Sequence, residues 1–260
     1  MSEDSRRMVP PVYVFIIIFL FSDSASGEDC PSTFDCGNLG KLGFPLTTWA
    51  RQDCGILAIH GCENPNATKT VQFSGGKEIQ VTGTGDGFNK VYLRDAVLEK
   101  SLANESCKAF NSNITLPDSS ALGYFELDPN AGYITLYKCN VTLNISSSST
   151  GIYRYTGCVE STGETIYFGN QYKDLNDTPP ALAACSWIQL PAAAESFAAG
   201  SPFVSLDSGY PIQARLSSNC SRCVSDRGLC RLNSEGQFYC SQSTGMHRIM
   251  FKVKNSQGYR

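Results

Sequence analysis

The feature that most constrains this chain is its cysteine content. Twelve of its 260 residues are cysteine, and an even number of cysteines in an exported chain predicts a disulfide framework. Zinc binding is the alternative for the Cys220-x2-Cys223 pair, which Cys230 and Cys240 follow. Neither of the two histidines lies among these four cysteines. Disulfides are therefore favoured, provided that the chain is exported.

The N-terminus predicts export. Arg6 and Arg7 precede an apolar run at residues 9–21, and Ala25 and Gly27 suit a cleavage site before Glu28. This order is typical of a signal peptide, here residues 1–27. The run is shorter than the roughly 20 residues of a membrane span. We expect a secreted, extracellular protein, with membrane attachment only if the signal segment stays uncleaved or the sequence is truncated.

Glycosylation motifs point to the same compartment. The chain has seven Asn-x-Ser/Thr motifs, and glycans attached there must face water. The predicted glycosylation sites are Asn66, Asn104, Asn113, Asn140, Asn144, Asn176 and Asn219.

The amino-acid composition limits the classes of protein to which this chain can belong. The hydrophobic share is 42% and the charged share 17%, which favours a folded core over disorder. The formal net charge is -3, so no global electrostatic attraction to nucleic acid is expected.

A serine-rich stretch at residues 143–151 divides the cysteines into six and six. We interpret it as a linker between two disulfide-rich domains, residues 28–142 and 152–241, with a basic tail at 242–260. The division predicts that no disulfide crosses the linker. Each half allows 15 pairings, and for the last four cysteines we favour Cys220 with Cys230 and Cys223 with Cys240. The cysteines expected in disulfides are Cys30, Cys36, Cys54, Cys62, Cys107, Cys139, Cys158, Cys185, Cys220, Cys223, Cys230 and Cys240.

Both halves read as mainly β. Alternating apolar residues predict one hairpin over residues 71–81 and a second over 124–137, turning at Pro129 and Gly132. Residues 95–102 predict a short helix with Asp95 as its N-cap. The expected fold class is two small disulfide-rich, mainly β domains with short strands, hairpins and at most one or two short helices.

No catalytic constellation stands out in the sequence. His60 and His247 have no identifiable partner, and a packed or surface histidine is the preferred interpretation of His60. The glycine-rich segment 83–87 lacks the lysine of a phosphate-binding loop and predicts a turn. Kinase and serine-hydrolase signatures do not occur. We expect a protein that is not an enzyme and has no cofactor or metal.

Several motifs resemble one family of plant receptors. The left half carries Cys30-Pro-Ser-Thr-Phe-Asp-Cys36-Gly37-Asn38-Leu39, Leu42-Gly43-Phe44-Pro45-Leu46, Asp53-Cys54-Gly55-Ile56, Gly61-Cys62, Thr115-Leu116-Pro117 and Leu136-Tyr137-Lys138-Cys139-Asn140. The right half carries Ala184-Cys185, Ile188-Gln189-Leu190-Pro191, Cys220-Ser221-Arg222-Cys223, Gly228-Leu229-Cys230 and Phe238-Tyr239-Cys240. Together they resemble the ectodomain of plant wall-associated receptor kinases, nearest to the leaf-rust-resistance-type receptor-like kinases. The two halves are similar to the galacturonan-binding domain and the wall-associated kinase C-terminal domain.

The resemblance implies a module that faces the cell wall and binds pectin or oligogalacturonides in wall sensing or defence. Relatives continue into a membrane helix and a serine/threonine kinase. In this sequence, residues 241–260 hold no run that could span a bilayer. We expect either a secreted relative without a kinase or a fragment of a longer membrane receptor kinase.

The best local candidates for a galacturonate site are Lys41, Trp49 and Arg51, which flank the Leu-Gly-Phe-Pro-Leu segment. Cations suit carboxylates and an aromatic face suits a sugar ring. The alternative is a core Trp49 between solvated cations. Residues 28–139 hold nine Lys/Arg and 13 Asp/Glu, so a polyanion needs a local site there.

The second hypothesis is a protein-interaction ectodomain that acts as a decoy or co-receptor. Its expected partner is a membrane receptor kinase. Its basic side would be formed by Arg222, Arg227, Arg231, Arg248, Lys252 and Lys254.

Overall fold

The computed structural model describes residues 30–111, 113–142, 152–169, 180–193 and 200–242. The predicted signal peptide and linker, and residues 243–260 of the predicted basic tail, lie outside these ranges. From Ser32 onward the described residues belong to one compact unit.

Short strands dominate the described part of the chain, which confirms the mainly β class. The strands are β1 (Thr33–Asp35), β2 (Lys41–Gly43), β3 (Leu46–Thr48), β4 (Leu57–Ile59), β5 (Thr70–Gln72), β6 (Glu78–Thr84), β7 (Lys90–Arg94), β8 (Gly123–Leu127), β9 (Tyr133–Asn140), β10 (Ile152–Tyr155), β11 (Glu164–Gly169), β12 (Ser186–Pro191), β13 (Gly209–Leu216), β14 (Gly228–Leu232) and β15 (Phe238–Gln242). The α-helices are α1 (Ala96–Ala103), α2 (Val159–Thr162) and α3 (Ser218–Ser225). The 3-10 segments include Gly37–Leu39, Trp49–Cys54, Ser74–Gly76, Asp86–Phe88, Cys107–Asn111, Pro180–Leu182 and Phe203–Ser205.

The largest sheet has five strands in the order β5-β6-β7-β13-β8. All of its pairings are antiparallel, and β13 lies between β7 and β8. One face is buried, with Val71, Ile79, Leu93, Phe125 and Ile212 in a common core. The other face carries the alternate residues and is open to solvent.

A second antiparallel sheet has the order β10-β11-β9-β12. Leu136, Ile166, Phe168, Ile188 and Leu190 form the centre of its own core. Three two-stranded sheets complete the described pairings: β1 with β2 and β14 with β15 are antiparallel, and β3 with β4 is parallel.

All twelve cysteines are disulfide-bonded, which excludes zinc at the last four. Five of the pairs are Cys36–Cys62, Cys107–Cys158, Cys139–Cys185, Cys220–Cys230 and Cys223–Cys240. Both pairings favoured for the last four cysteines are confirmed.

The prediction that no disulfide crosses residues 143–151 is wrong. Cys107–Cys158 and Cys139–Cys185 both join the two sides. The reason is the sheet order, because β9 from the left side is hydrogen-bonded between β11 and β12 from the right. The described residues on the two sides of this stretch thus share both large sheets and do not form separate ones.

One predicted hairpin is confirmed and the other is wrong. β5 pairs with β6, as the alternation at 71–81 predicts. Strands also form at 123–127 and 133–140, but β8 pairs with β13, and β9 lies in the other sheet. Directly after β8, Asp128 binds the Nζ atom of Lys90 at 2.6 Å and the backbone N–H of Asn130 at 2.9 Å.

Helix α1 begins where its N-cap predicts. Asp95 accepts hydrogen bonds from the backbone N–H groups of Val97 and Leu98 through Oδ1, and its Oδ2 lies 2.6 Å from the Nζ atom of Lys77. This carboxylate is nearly buried, so the ion pair and the helix cap satisfy it together.

A buried lysine closes the loop before β5. The Nζ atom of Lys69 donates to the carbonyl groups of Asn64 at 2.7 Å and Ala67 at 2.8 Å, with that of Pro65 at 3.4 Å. Lys69 is 1% exposed. Its ammonium therefore replaces water as the donor for loop carbonyls.

We predict that peptide mapping under non-reducing conditions will recover Cys139 joined to Cys185. Cys139 lies in β9 and Cys185 directly precedes β12, its hydrogen-bonded neighbour. Replacing both cysteines by serine should lower the free energy of unfolding by about 2–4 kcal/mol, as for typical disulfides. A map in which every bridge stays on one side of residues 143–151 would contradict this fold.

Acid should weaken the fold through Asp128. The hydrogen bond from Lys90 holds the pKa of this carboxyl below its usual range. A carboxyl with a lowered pKa stabilises the folded state above its unfolded pKa of about 4, and that contribution is lost as pH falls through the lower folded pKa. We expect the free energy of unfolding to depend less on pH below pH 5 in Asp128→Asn than in the unmodified protein.

The measurement is urea unfolding at a series of pH values. Glu235→Gln is the control, because this carboxylate lies in an exposed turn. Identical acid dependence in Asp128→Asn and the unmodified protein would show that the Lys90–Asp128 pair does not contribute.

Candidate functional site

Trp49 presents an open aromatic face. It directly follows β3, and its side chain is 44% exposed. Its indole stacks on the imidazole of His60, with ring centroids 3.9 Å apart and an interplanar angle of 29°. The alternative of a core tryptophan is therefore excluded by its exposure.

The parallel pairing of β3 and β4 produces this stack. Thr48 is the register partner of Ile59, so the next residues, Trp49 and His60, leave the two strands side by side. The imidazole Nε2 of His60 is buried and has no hydrogen-bond partner within the described ranges. His60 thus packs against the indole, in agreement with its preferred interpretation as a packed or surface histidine.

A groove of about 460 Å³ opens beside Trp49. Its apolar floor includes Ile56, Leu57 and Phe73, which belong to the core or pack against it. Its polar lining is formed by Gln52, Gln72, Asp118 and Ser120. The groove combines one exposed aromatic ring with amide and carboxylate groups, an arrangement that suits a polar ligand with apolar faces.

Gly55 allows the chain to pass under the groove. A Cβ atom at this position would lie 2.8 Å from the carbonyl oxygen of Pro45. The next residue, Ile56, donates its backbone N–H to the same oxygen at 2.7 Å. Any larger residue would push the 3-10 turn away from β3 and misplace Trp49.

Arg51 lies in the same 3-10 turn as Trp49 but does not line the groove. Its Nε atom is 3.5 Å from Oδ1 of Asp53, and the two side chains are 24% and 49% exposed. The positive charge of Arg51 is therefore partly balanced by its neighbour.

Lys41 lies apart from both residues in sequence and sheet. It belongs to β2, opposite Asp35, and is exposed. In the ranges that the structure describes, it makes no ion pair. The structure thus joins Trp49 and Arg51 in one turn and places Lys41 in a different small sheet.

The groove includes residues that the sequence analysis did not select. Gln52 is near Trp49 in sequence, but Gln72 and Asp118 come from distant segments. Their place in the groove could be predicted only from the pairing of β3 with β4 and the position of β5. Both of these depend on contacts between residues remote in sequence.

The predicted glycosylation sites are exposed wherever they are described. Asn66, Asn104, Asn113, Asn140 and Asn219 all face solvent, while Asn144 and Asn176 fall outside the described residues. Asn140 Oδ1 accepts a hydrogen bond from the hydroxyl of Thr142, the third residue of its motif, at 3.3 Å.

The predicted basic side is smaller than expected. Arg222 and Arg227 are exposed at and just after α3, but Arg231 is only 7% exposed. Arg248, Lys252 and Lys254 lie outside the described residues.

In the described part of the chain, no helix has the length and apolar character needed to cross a membrane. The six disulfides fit an extracellular or secreted protein. Comparisons with protein-family models, curated proteins and solved structures give no match to this chain.

Proposed function

We propose that this chain is an extracellular polysaccharide-binding module that recognises pectin fragments in the plant cell wall and acts in wall sensing or defence. The observation that carries the proposal is the exposed indole of Trp49, fixed against His60 at the mouth of a polar groove. The resemblance of the cysteine motifs supplies the ligand class, oligogalacturonides.

The groove has the chemistry of a sugar site. One face of a pyranose ring carries C–H groups that pack on an aromatic ring, while its hydroxyl groups need donors and acceptors at the rim. Trp49 offers the ring, and Gln52, Gln72 and Asp118 offer both kinds of polar group. Because the indole is already held by His60, little side-chain freedom is lost when a sugar stacks on it.

Arg51 can meet the carboxylate of a galacturonate. Its side chain is 24% exposed and its Nε atom pairs with Asp53 at 3.5 Å. A guanidinium has five N–H donors, so a ligand carboxylate would share it with Asp53. Lys41 adds a second exposed cation for a longer acidic chain.

A protein-interaction ectodomain is the second candidate function. It is favoured by the exposed Arg222, Val224 and Arg227 on and just after α3, which would suit a partner with an acidic surface. A membrane receptor kinase is the partner that the resemblance implies. Titration of the protein with oligogalacturonides of several lengths discriminates the two functions.

We predict that Trp49→Ala lowers the affinity for de-esterified pectin about tenfold, which corresponds to about 1.4 kcal/mol. Affinity electrophoresis or calorimetry provides the measurement. Trp187→Ala is a matched control, because Trp187 is 41% exposed but lies in β12 of the four-stranded sheet. Equal losses in both variants, or no loss in either, would contradict a site at Trp49.

Reversal of charge at Lys41 and Arg51 should weaken binding to de-esterified pectin specifically. A hydrogen bond to a charged group contributes roughly 1.5–3 kcal/mol when well formed and less when exposed. Binding should also fall with added salt and be absent with fully methyl-esterified pectin. Arg222→Glu is the control, since it reverses an exposed cation on α3. Equal affinity for esterified and de-esterified pectin in the unmodified protein would exclude carboxylate recognition.

A further inference from the structure

The open face of the five-stranded sheet carries two exposed tyrosines. Tyr92 in β7 is 43% exposed and Tyr124 in β8 is 46% exposed. Their neighbours Val91, Leu93 and Phe125 point into the core and are at most 2% exposed. Strand alternation therefore places both aromatic rings on the same, outward side.

The register places these tyrosines on one diagonal. Tyr92 is opposite Pro211 in β13, and Tyr124 is opposite Arg215. Gln213 lies halfway between them, with Lys90 on one side and Glu126 on the other. With strands about 4.8 Å apart and a rise of about 3.4 Å per residue, the two tyrosine Cα atoms are about 17 Å apart.

We call this diagonal of Tyr92, Gln213 and Tyr124 the tyrosine stripe. Among the described residues, the phenolic hydroxyl groups of Tyr92 and Tyr124 have no hydrogen-bond partner. The side-chain amide of Gln213 has none either. The stripe thus combines two flat apolar rings with free donors and acceptors between and around them.

The stripe leads into a cleft of about 450 Å³. Arg94, two residues beyond Tyr92 on the same face, lines the cleft together with Thr82 and Gly209. Glu99 from α1 and Asp207 form its acidic part. Arg94 and Gly209 at the cleft are two residues from Tyr92 and its partner Pro211 on the same face, so the register places cleft and stripe next to each other.

The cations on this path are already paired. Arg215 binds Glu126 at 2.6 Å, Lys90 binds Asp128 at 2.6 Å, and Arg94 pairs with Glu99. Asp207 adds a further carboxylate, whose Oδ1 accepts the backbone N–H groups of Ser208 and Gly209. The carboxylate beside each of these cations would repel a polyanion. The same carboxylates would accept hydrogen bonds from the hydroxyl groups of a neutral sugar chain.

We propose that the cleft and the tyrosine stripe bind a neutral, linear polysaccharide. The two tyrosine rings stack on sugar faces, Gln213 and Asp207 hydrogen-bond to hydroxyl groups, and the paired charges exclude acidic chains. This second site shares no lining residue with the Trp49 groove. Failure of the pectin proposal would leave this one unaffected.

The test uses the full mature chain with a soluble β-1,4-glucan hexasaccharide as the neutral probe and polygalacturonate as the acidic one. We expect the native protein to bind the glucan with an affinity that does not change with salt. Tyr92→Ala and Tyr124→Ala should each reduce this affinity roughly tenfold, as expected for loss of one stacked aromatic contact. Tyr92→Phe and Tyr124→Phe keep the ring and should retain most of the binding.

Two controls separate this site from other effects. Tyr239→Ala removes a tyrosine of similar exposure, 42%, from β15 and should leave glucan binding intact. Trp49→Ala should affect the acidic probe alone. Thermal unfolding of each variant verifies that it is folded.

Three results would overturn the proposal. The first is native protein that does not bind the neutral glucan, and the second is an equal loss of binding in Tyr239→Ala. The third is concentration-dependent dimerisation in sedimentation experiments that Tyr92→Ala and Tyr124→Ala abolish, because a second copy of the chain would then occupy this face.

Discussion

The insertion of β13 between β7 and β8 is the pairing on which the larger sheet depends. β8 has β13 as its partner in that sheet, so without residues 209–216 the strand at 123–127 has no place in it. The same strand brings Tyr210 and Ile212 into the core beside Val91 and Leu93. The ion pair of Arg215 with Glu126 joins residues 89 positions apart in sequence across this contact. Stability of the sheet therefore depends on pairings between strands that lie far apart in the sequence.

The candidate binding surfaces both follow from sheet register. Parallel pairing of β3 with β4 sets Trp49 beside His60, and antiparallel pairing of β13 with its two neighbours aligns Tyr92, Gln213 and Tyr124. A shift of one residue in either pairing would turn these side chains to the opposite face.

Local patterns in the sequence predicted what depends on local contacts. The hairpin of β5 and β6, the N-cap at Asp95 and the pairing of the last four cysteines all connect residues close in sequence. The expected hairpin of β8 with β9 does not form because each strand finds its partners far along the chain, β8 in β13 and β9 in β11 and β12. Alternation of apolar residues identifies a strand but carries no information about its neighbour.

The same limit applies to the candidate sites. Trp49 and Arg51 could be selected because an aromatic and a cation stand close together in the sequence. His60, Gln72 and Asp118 could not, because only the folded chain brings them to the groove or its edge. Tyr92 and Tyr124 likewise belong to strands that never touch each other and are related only through β13.

The central position of β13 has a consequence for how the protein is made. During synthesis, β7 and β8 emerge from the ribosome long before β13, which must fill the gap between them. Until then both present unpaired backbone edges, which are templates for aggregation, and closure over such a sequence distance is slow. Asn104 and Asn113, two predicted glycan acceptors, lie in the segment between β7 and β8. Sugars attached there during synthesis would keep the nascent chain soluble until β13 has been synthesised and can pair with β7 and β8.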